Sequence, residues 1–402
     1  MVFSVSASRI FLLAAGLFLA IYGGISIWAV DKSPDAIQEA CRLGLCDVDA
    51  VQKAAHLLTV SGEAHNRAVS DYKLLLRNDP GSPYNWTRLA FALADSGDRA
   101  SAARCINQAV RLAPGSAPLL MEVLNYYMTV GDYADVLPTG RRLLSLVKDY
   151  DPFVFHYYEQ AAFAPAIVLA SGIPPNAARD SDYLRYLVGI GDQTSAEAAW
   201  QWLREHKCSD RPTLNAFTSF LVARKAYSKA WAAWRNFYGN EGAGNLLFNG
   251  GFERPLAEGP FDWEFNKDSD ATIGIDPGAR VGGNSSLRIE FSGNSNIAFQ
   301  HVSHLVFTRG GPLRLSGSVK CSGLTTNEGV FLRISDRDNP GRFTLESEPV
   351  RDQSDWKEFH YLLTVPGPDR LLRLEIVRRP SAKFDNKIAG VVWFGNLRLS
   401  MD

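Results

Sequence analysis

Asn245-Leu246-Leu247-Phe248-Asn249-Gly250-Gly251-Phe252-Glu253 opens the part of the chain that decides the fold. Before it, from about Ser33 to Tyr238, apolar residues return at the three-to-four spacing of one helix face, and after it they alternate. Between the two regimes runs Gly239-Asn240-Glu241-Gly242-Ala243-Gly244, a glycine-rich composition that suits a linker. The chain is therefore read as helices first and strands second. At 402 residues it is long enough for two soluble domains plus a membrane segment.

In the second half, Leu287 to Phe291, Leu313 to Lys320, Val330 to Ile334, Leu371 to Val377 and Val391 to Leu399 place apolar and polar residues in turn. Strands with one face in a core and one in water read this way, and several in succession predict two facing sheets. Three stretches then carry a resemblance: the opening segment with Trp263 behind its Gly-Pro turn, Gly283-Asn284-Ser285-Ser286-Leu287-Arg288-Ile289, and Trp356-Lys357-Glu358-Phe359 through Val365-Pro366. Together, over Asn245 to Met401, they resemble the jelly-roll carbohydrate-binding modules of galactose-binding-like type, with the opening segment as first strand. The resemblance implies a β-sandwich that binds a polysaccharide or oligosaccharide.

It also implies a structural calcium held between an acidic residue of the first strand and acidic residues of the last. Glu253 matches the first position, but the last strand has Gly395 and Asn396 where paired aspartates are expected. Asn396 would supply at most a neutral ligand to an ion that wants about six to eight oxygens, so no cofactor is assigned. Trp263, Trp356 and Trp393 match the family's core aromatics and are expected inside. The charges on the outward positions of the strands, Arg288, Glu290, Arg314, Arg333, Arg373 and Glu375, are the candidate carbohydrate-binding residues, with Arg379 of the basic loop Arg378 to Lys387. On one sheet face they would form a polar groove able to pair with hydroxyls or anionic groups. A merely solvated face reads the same way.

In the first half, Trp86, Leu89, Ala90, Leu93, Gly97, Ala102, Ile106, Ala109 and Pro114 follow one another at the spacing of a helical hairpin. Ala68 and Pro80 precede this unit, and Gly131-Asp132 follows it, at a period of about 34 residues. This pattern resembles the tetratricopeptide repeat, which implies stacked hairpins and a protein partner. Later hairpins are marked by Tyr183, Leu184 and Leu187 before Gly191-Asp192, by Ala196, Ala199, Trp200 and Leu203 after it, and by a final pair over Thr213 to Arg224 and Tyr227 to Tyr238. Trp231 and Trp234 in that pair are expected to be core residues against a neighbouring repeat or domain.

Ile10 to Val30 carries no charged residue and as a helix would cross about 30 Å, the thickness of a bilayer core. A cleaved signal peptide shares those features, but Ile27 and Trp28 spoil the small-residue cleavage site it needs. The expected organisation is a membrane anchor over 1–32, tetratricopeptide-like repeats over 33–240 and a carbohydrate-binding-like sandwich over 245–402. Arg9 ahead of the apolar run places the bulk outside an inner membrane, single-pass and periplasmic. There Cys41 and Cys46 would close a small disulfide loop if the chain bends at Gly44, and two unpaired helix-packing thiols are the other reading.

A formal net charge of -1 gives no basic surface for nucleic acid. No nucleophile motif, phosphate loop or dinucleotide fingerprint occurs, and His301 and His304 lie in a strand-like segment where that spacing suits no shared metal. Paired carboxylates among Glu346, Glu348, Asp355 and Glu358 would escape detection by spacing. The expectation is a membrane-anchored periplasmic scaffold, not an enzyme, that joins a protein partner to a glycan during cell-surface polysaccharide assembly or export. The alternatives are a protein interaction module whose sandwich binds no sugar and a carbohydrate-active enzyme.

Overall fold

The computed structural model describes residues 65–239, 244–282, 284–351, 353–384 and 386–401. The expected anchor, together with Cys41 and Cys46, lies outside the described residues. Among the described residues no helix is long and apolar enough to cross a membrane. The chain separates into two compact units, one up to Arg179 and one from Asp180 onward.

The first unit is a run of helices: α1 (His65–Asn78), α2 (Pro83–Asp95), α3 (Arg99–Leu112), α4 (Ala117–Val130), α5 (Val136–Leu146), α6 (Asp151–Gln160), the single turn α7 (Pro165–Ile167) and the start of α8 (Ala177–Ile190). Their ends are written locally. Ser82 and Ser116 cap α2 and α4 by accepting from Asn85 N (3.3 Å) and Leu119 N (3.4 Å), with a proline in each first turn. The chain leaves those helices at Gly97 (φ 89°) and Gly131 (φ 73°), a left-handed conformation that glycine adopts without a Cβ penalty. Leu89, Ala90, Leu93, Ala102, Ile106 and Ala109, the expected hairpin core, are each at most 5 % exposed. Phe91 of α2 meets Tyr126 of α4 edge to face at 5.4 Å, which joins one hairpin to the next.

The second unit begins with the rest of α8, α9 (Gln193–Glu205), α10 (Arg211–Ala223) and α11 (Tyr227–Tyr238) and continues, among the described residues, into ten strands. The first sheet has the order β1 (Trp263–Phe265), β4 (Phe299–Thr308), β9 (Arg370–Arg378), β6 (Val330–Asp336), β7 (Thr344–Glu346). The second has the order β2 (Ala271–Val281), β3 (Asn284–Ser292), β10 (Ala389–Met401), β5 (Gly311–Ser322), β8 (Ser354–Val365). All pairings are antiparallel. Val302, Val306, Leu372, Leu374 and Ile376 of the first sheet and Leu287, Ile289, Leu315, Val392 and Leu399 of the second, fully buried, belong to one core between the sheets. The alternation read from the sequence is thus a two-sheet sandwich.

The opening segment differs from its expected role, for Asn245 to Glu253 forms no strand. It is a buttress on the last strand. Leu246 N donates to Leu399 O (2.7 Å) and Leu397 N to Gly250 O (2.9 Å), while the Asn245 side-chain oxygen Oδ1 accepts from Leu247 N and Leu399 N, both at 3.0 Å. A Cβ on Gly250 would strike the Leu397 carbonyl, so the glycine is required by close approach.

Trp231 and Trp234 lie in a core, as expected, where the last helices meet the sandwich. Trp234, fully buried, packs edge to face on Phe248 (5.4 Å) and Phe261 (5.9 Å), and Trp231 does so on Phe261 (5.2 Å). Asn215 Nδ2 donates to Ala257 O (2.8 Å) and the Tyr227 hydroxyl to Asp338 Oδ2 (2.5 Å). Gly259 passes so close to Trp234 and Asn215 that any side chain there would collide with both.

Candidate functional site

Strand register decides which charges meet. On the outer face of the first sheet, Glu264, Ser303, Glu375, Arg333 and Glu346 stand opposite one another in turn across β1, β4, β9, β6 and β7. They form one polar row across the whole sheet, because residues directly opposite in antiparallel strands share a face. Leu305, Arg373, Ser335 and Thr344 form the adjacent row.

One end of the polar row is cross-linked. Arg379 Nη2 reaches both Glu346 oxygens at 2.6 Å and Arg333 Nε reaches Oε1 at 3.0 Å. The Arg379 and Arg333 guanidinium carbons lie 4.8 and 5.8 Å from the centre of the Phe331 ring, so cation–π attraction adds to the ion pairs. Burial works to raise the Glu346 carboxyl, and the hydrogen bonds from Arg379 and Arg333 outweigh it, leaving the group below its ordinary value. It is an ionised anchor that fixes two arginines in place.

At the other end the face dips into a groove of about 470 Å³ lined by Leu256, Asp262, Glu264, Ser303, Leu305 and Arg373. Asp262, 2 % exposed, stiffens its wall by accepting from Ala257 N (2.5 Å) and Trp263 N (2.8 Å). Ser303 Oγ donates to Glu264 Oε2 at 3.4 Å. Arg373 Nε is buried and has no hydrogen-bond partner among the described residues. A buried donor left unmade costs about 1–3 kcal/mol, which a ligand oxygen placed there would recover.

The sequence-predicted set is therefore divided. Arg333, Arg373, Glu375 and Arg379 belong to the first sheet's outer face and its edge, whereas Arg288, Glu290 and Arg314 stand on the outer face of the second sheet. One face cannot gather all seven, since β3 and β5 belong to a different sheet from β6 and β9. On the second sheet Arg288 pairs with Glu290 of its own strand (2.8 Å) and Arg314 stands between Ser400 and Leu362.

Trp263 is buried as expected, but Trp393 and Trp356 are only half-buried. Val392 and Phe394 take the inward positions of β10, which turns Trp393 outward to donate to Asp276 Oδ2 at 2.9 Å. The Trp356 ring lies on the same outer face beside Gly395.

The residues present do not fit calcium. Glu253 is exposed, and Asn396, at φ 50° in an irregularity of β10, directs its amide toward Gly282. Among the described residues no group of three or more His, Cys, Asp or Glu side chains is placed to hold a metal. His304, read from sequence as an ordinary polar residue, is a core residue 1 % exposed, packed on Trp263 at 5.0 Å with Nε2 3.1 Å from Phe248 O. Burial pushes its pKa down to about 4, so the ring is neutral. His301 pairs with Asp268 at 3.3 Å. Of the carboxylates named for glycoside chemistry, Glu346 is held by arginines and Asp355 lies 3.2 Å from Lys320. Glu264 and Ser303 were missed as site residues, and Glu346 was named only for glycoside chemistry, because only the strand register aligns the three.

No protein-family model matches the chain, and no curated protein does. Several solved structures that align with it are carbohydrate-binding modules. A structure titled "CBM4 structure and function" is 16 % identical over 39 % of this chain and 99 % of that one, with a TM-score of 0.28. The CBM22-1 xylan-binding domain of Paenibacillus barcinonensis Xyn10C is 14 % identical over 39 % and 94 %, with a TM-score of 0.27. The enzymatically active domain of bacteriophage CBA120 tailspike protein 4 is 12 % identical, the match spanning 39 % of this chain and 21 % of that one, with a TM-score of 0.27. At such scores the likeness carries no argument about ligands, which must come from the face itself.

Proposed function

We propose that the outer face of the first sheet binds a saccharide, and that the helical hairpins, read as tetratricopeptide-like repeats, bind a polypeptide. The observation that carries the first half is the groove containing Arg373, whose buried Nε has no partner among the described residues, at the end of a row of carboxylates, hydroxyl and guanidinium. Hydroxyl-rich ligands need donors and acceptors at fixed spacing beside apolar surface, and Leu256 and Leu305 supply that surface here. The role is binding, with no reaction and no cofactor assigned. The charge-free run Ile10 to Val30 supports a further part of the reading, in which the chain is anchored in an inner membrane and acts outside it as a scaffold for surface-polysaccharide assembly or export.

A panel of neutral and anionic glycans titrated with the full chain, with and without calcium chelator, tests the saccharide half. Selective binding to a few structures, unchanged by chelation, is the expected result. Equal response to every glycan, or to none, removes the claim. The buried joint of Trp231 and Trp234 with Phe248 and Phe261 favours a second reading, in which the sandwich only completes the helical array. Crosslinking that captures a protein on the first sheet's face, with no glycan response, would establish it.

A further inference from the structure

The first unit carries a groove of about 610 Å³ of its own, between α1 and α3 with α2 as its base. Its floor is apolar, built from Leu76, Leu89, Leu93 and Cys105 with the half-buried Trp86, whose indole nitrogen donates to Pro80 O at 2.9 Å. The rim is cationic. Lys73 and Arg77, one turn apart on α1, face Arg104 and Arg111 on α3, and all four are exposed.

The acid among the lining residues is Asp98, which caps α3 by accepting from Ser101 N at 3.0 Å. Hydrogen bonds from Ser101 hold its carboxyl below the ordinary value, so it is ionised and already engaged. Arg104 and Arg111 spend their hydrogen bonds on neutral atoms, Ser101 Oγ (2.8 Å) and Gln108 Oε1 (2.5 Å). Among the described lining residues, four cations around one capped carboxylate leave an excess of positive charge over an apolar trough, on a chain whose overall formal charge is -1. The α2 side chains that meet α4 differ from these, since Phe91 makes that contact.

We propose that this groove docks an acidic polypeptide segment bearing apolar side chains, an inference that rests on the reading of the hairpins as polypeptide-binding. Leucine-lined floors accept aliphatic and aromatic anchors, while the rim pairs with flanking carboxylates and sets orientation and encounter rate. An anionic polysaccharide fits less well, because the hydroxyl and amide in the groove, Ser101 and Gln108, already serve the arginines.

The test is fluorescence anisotropy of the full chain with three labelled peptides: glutamates interrupted by leucines, the same sequence with lysine for glutamate, and plain polyglutamate. The glutamate–leucine peptide should bind best and weaken as salt rises. Lys73→Glu with Arg104→Glu should weaken it about tenfold or more and improve the lysine peptide, since two exposed contacts change sign. Equal binding to parent and double variant, or a polyglutamate as tight as its leucine-bearing form, overturns the groove assignment while leaving polypeptide binding elsewhere on the hairpins intact. No binding of any of the three sinks the reading of the hairpins as well. Glycan titration of the same preparations reports independently on the sandwich.

Discussion

Single residues show where close approach and burial leave no substitute. Gly250 passes the Leu397 carbonyl with no room for a methyl group. Gly250→Ala should cost about 1–3 kcal/mol through a shifted buttress and a weakened bond from Leu397 N, measurable as a lower urea midpoint. His304 makes a prediction about pH. Its pKa falls from 6.5 to about 4 on folding, so below 6.5 the unfolded chain takes a proton that the folded chain refuses. Its contribution is fully present above that value and is lost as pH falls toward 4, by about 3 kcal/mol at about 1.4 kcal/mol per pH unit. Asp180 acts in the opposite sense, because burial raises its carboxyl to about 6 and its contribution declines as pH rises from 3.8 toward that value. The comparison to make is therefore parent against His304→Asn: melting curves from pH 7 to 4 should show a steeper acid loss in the parent. Parallel curves would refute the buried neutral ring.

Elements show what the sequence reveals and what it withholds. The hairpins were legible because much of their grammar is local: a glycine at Gly97 and Gly131 where the chain turns left-handed, and small residues such as Ala102 and Ala109 at the contacts; the serine caps Ser82 and Ser116 are as local but were not read. The sandwich was legible through alternation, as Leu287, Arg288, Ile289, Glu290 and Phe291 illustrate. Sheet membership was not. Arg288 and Arg333 read alike, yet one stands on β3 and the other on β6, in different sheets, because pairing is set by contacts distant in the chain. The same reason hid Glu346, brought to Arg379 from 33 positions away. The joint of α11 with the sandwich lay between these cases: Trp231 and Trp234 pointed to a core, but nothing local named Phe248 and Phe261 as partners. Trp234→Ala should cost about 3–5 kcal/mol, and amide exchange should rise in both α11 and the segment around Phe261. Faster exchange in the helix alone would show that the two are not one cooperative body.

At the scale of the whole molecule, the two proposed recognition surfaces differ in chemistry. One is an apolar groove with a cationic rim on helices, the other a polar row beside a groove on a sheet. The ligands proposed for them differ accordingly, and each proposal fails or succeeds in its own assay. The claim on which the rest depends is that saccharide binds at the first sheet and not at the second. Isothermal titration of the full chain with the best glycan of the panel, comparing Arg373→Ala with Arg288→Ala, tests it most directly. Arg373→Ala should weaken binding about tenfold, and Arg288→Ala should leave it within about twofold, as expected for a lost buried contact and a lost solvated one. A loss confined to Arg288→Ala, or full affinity in Arg373→Ala, would contradict the account.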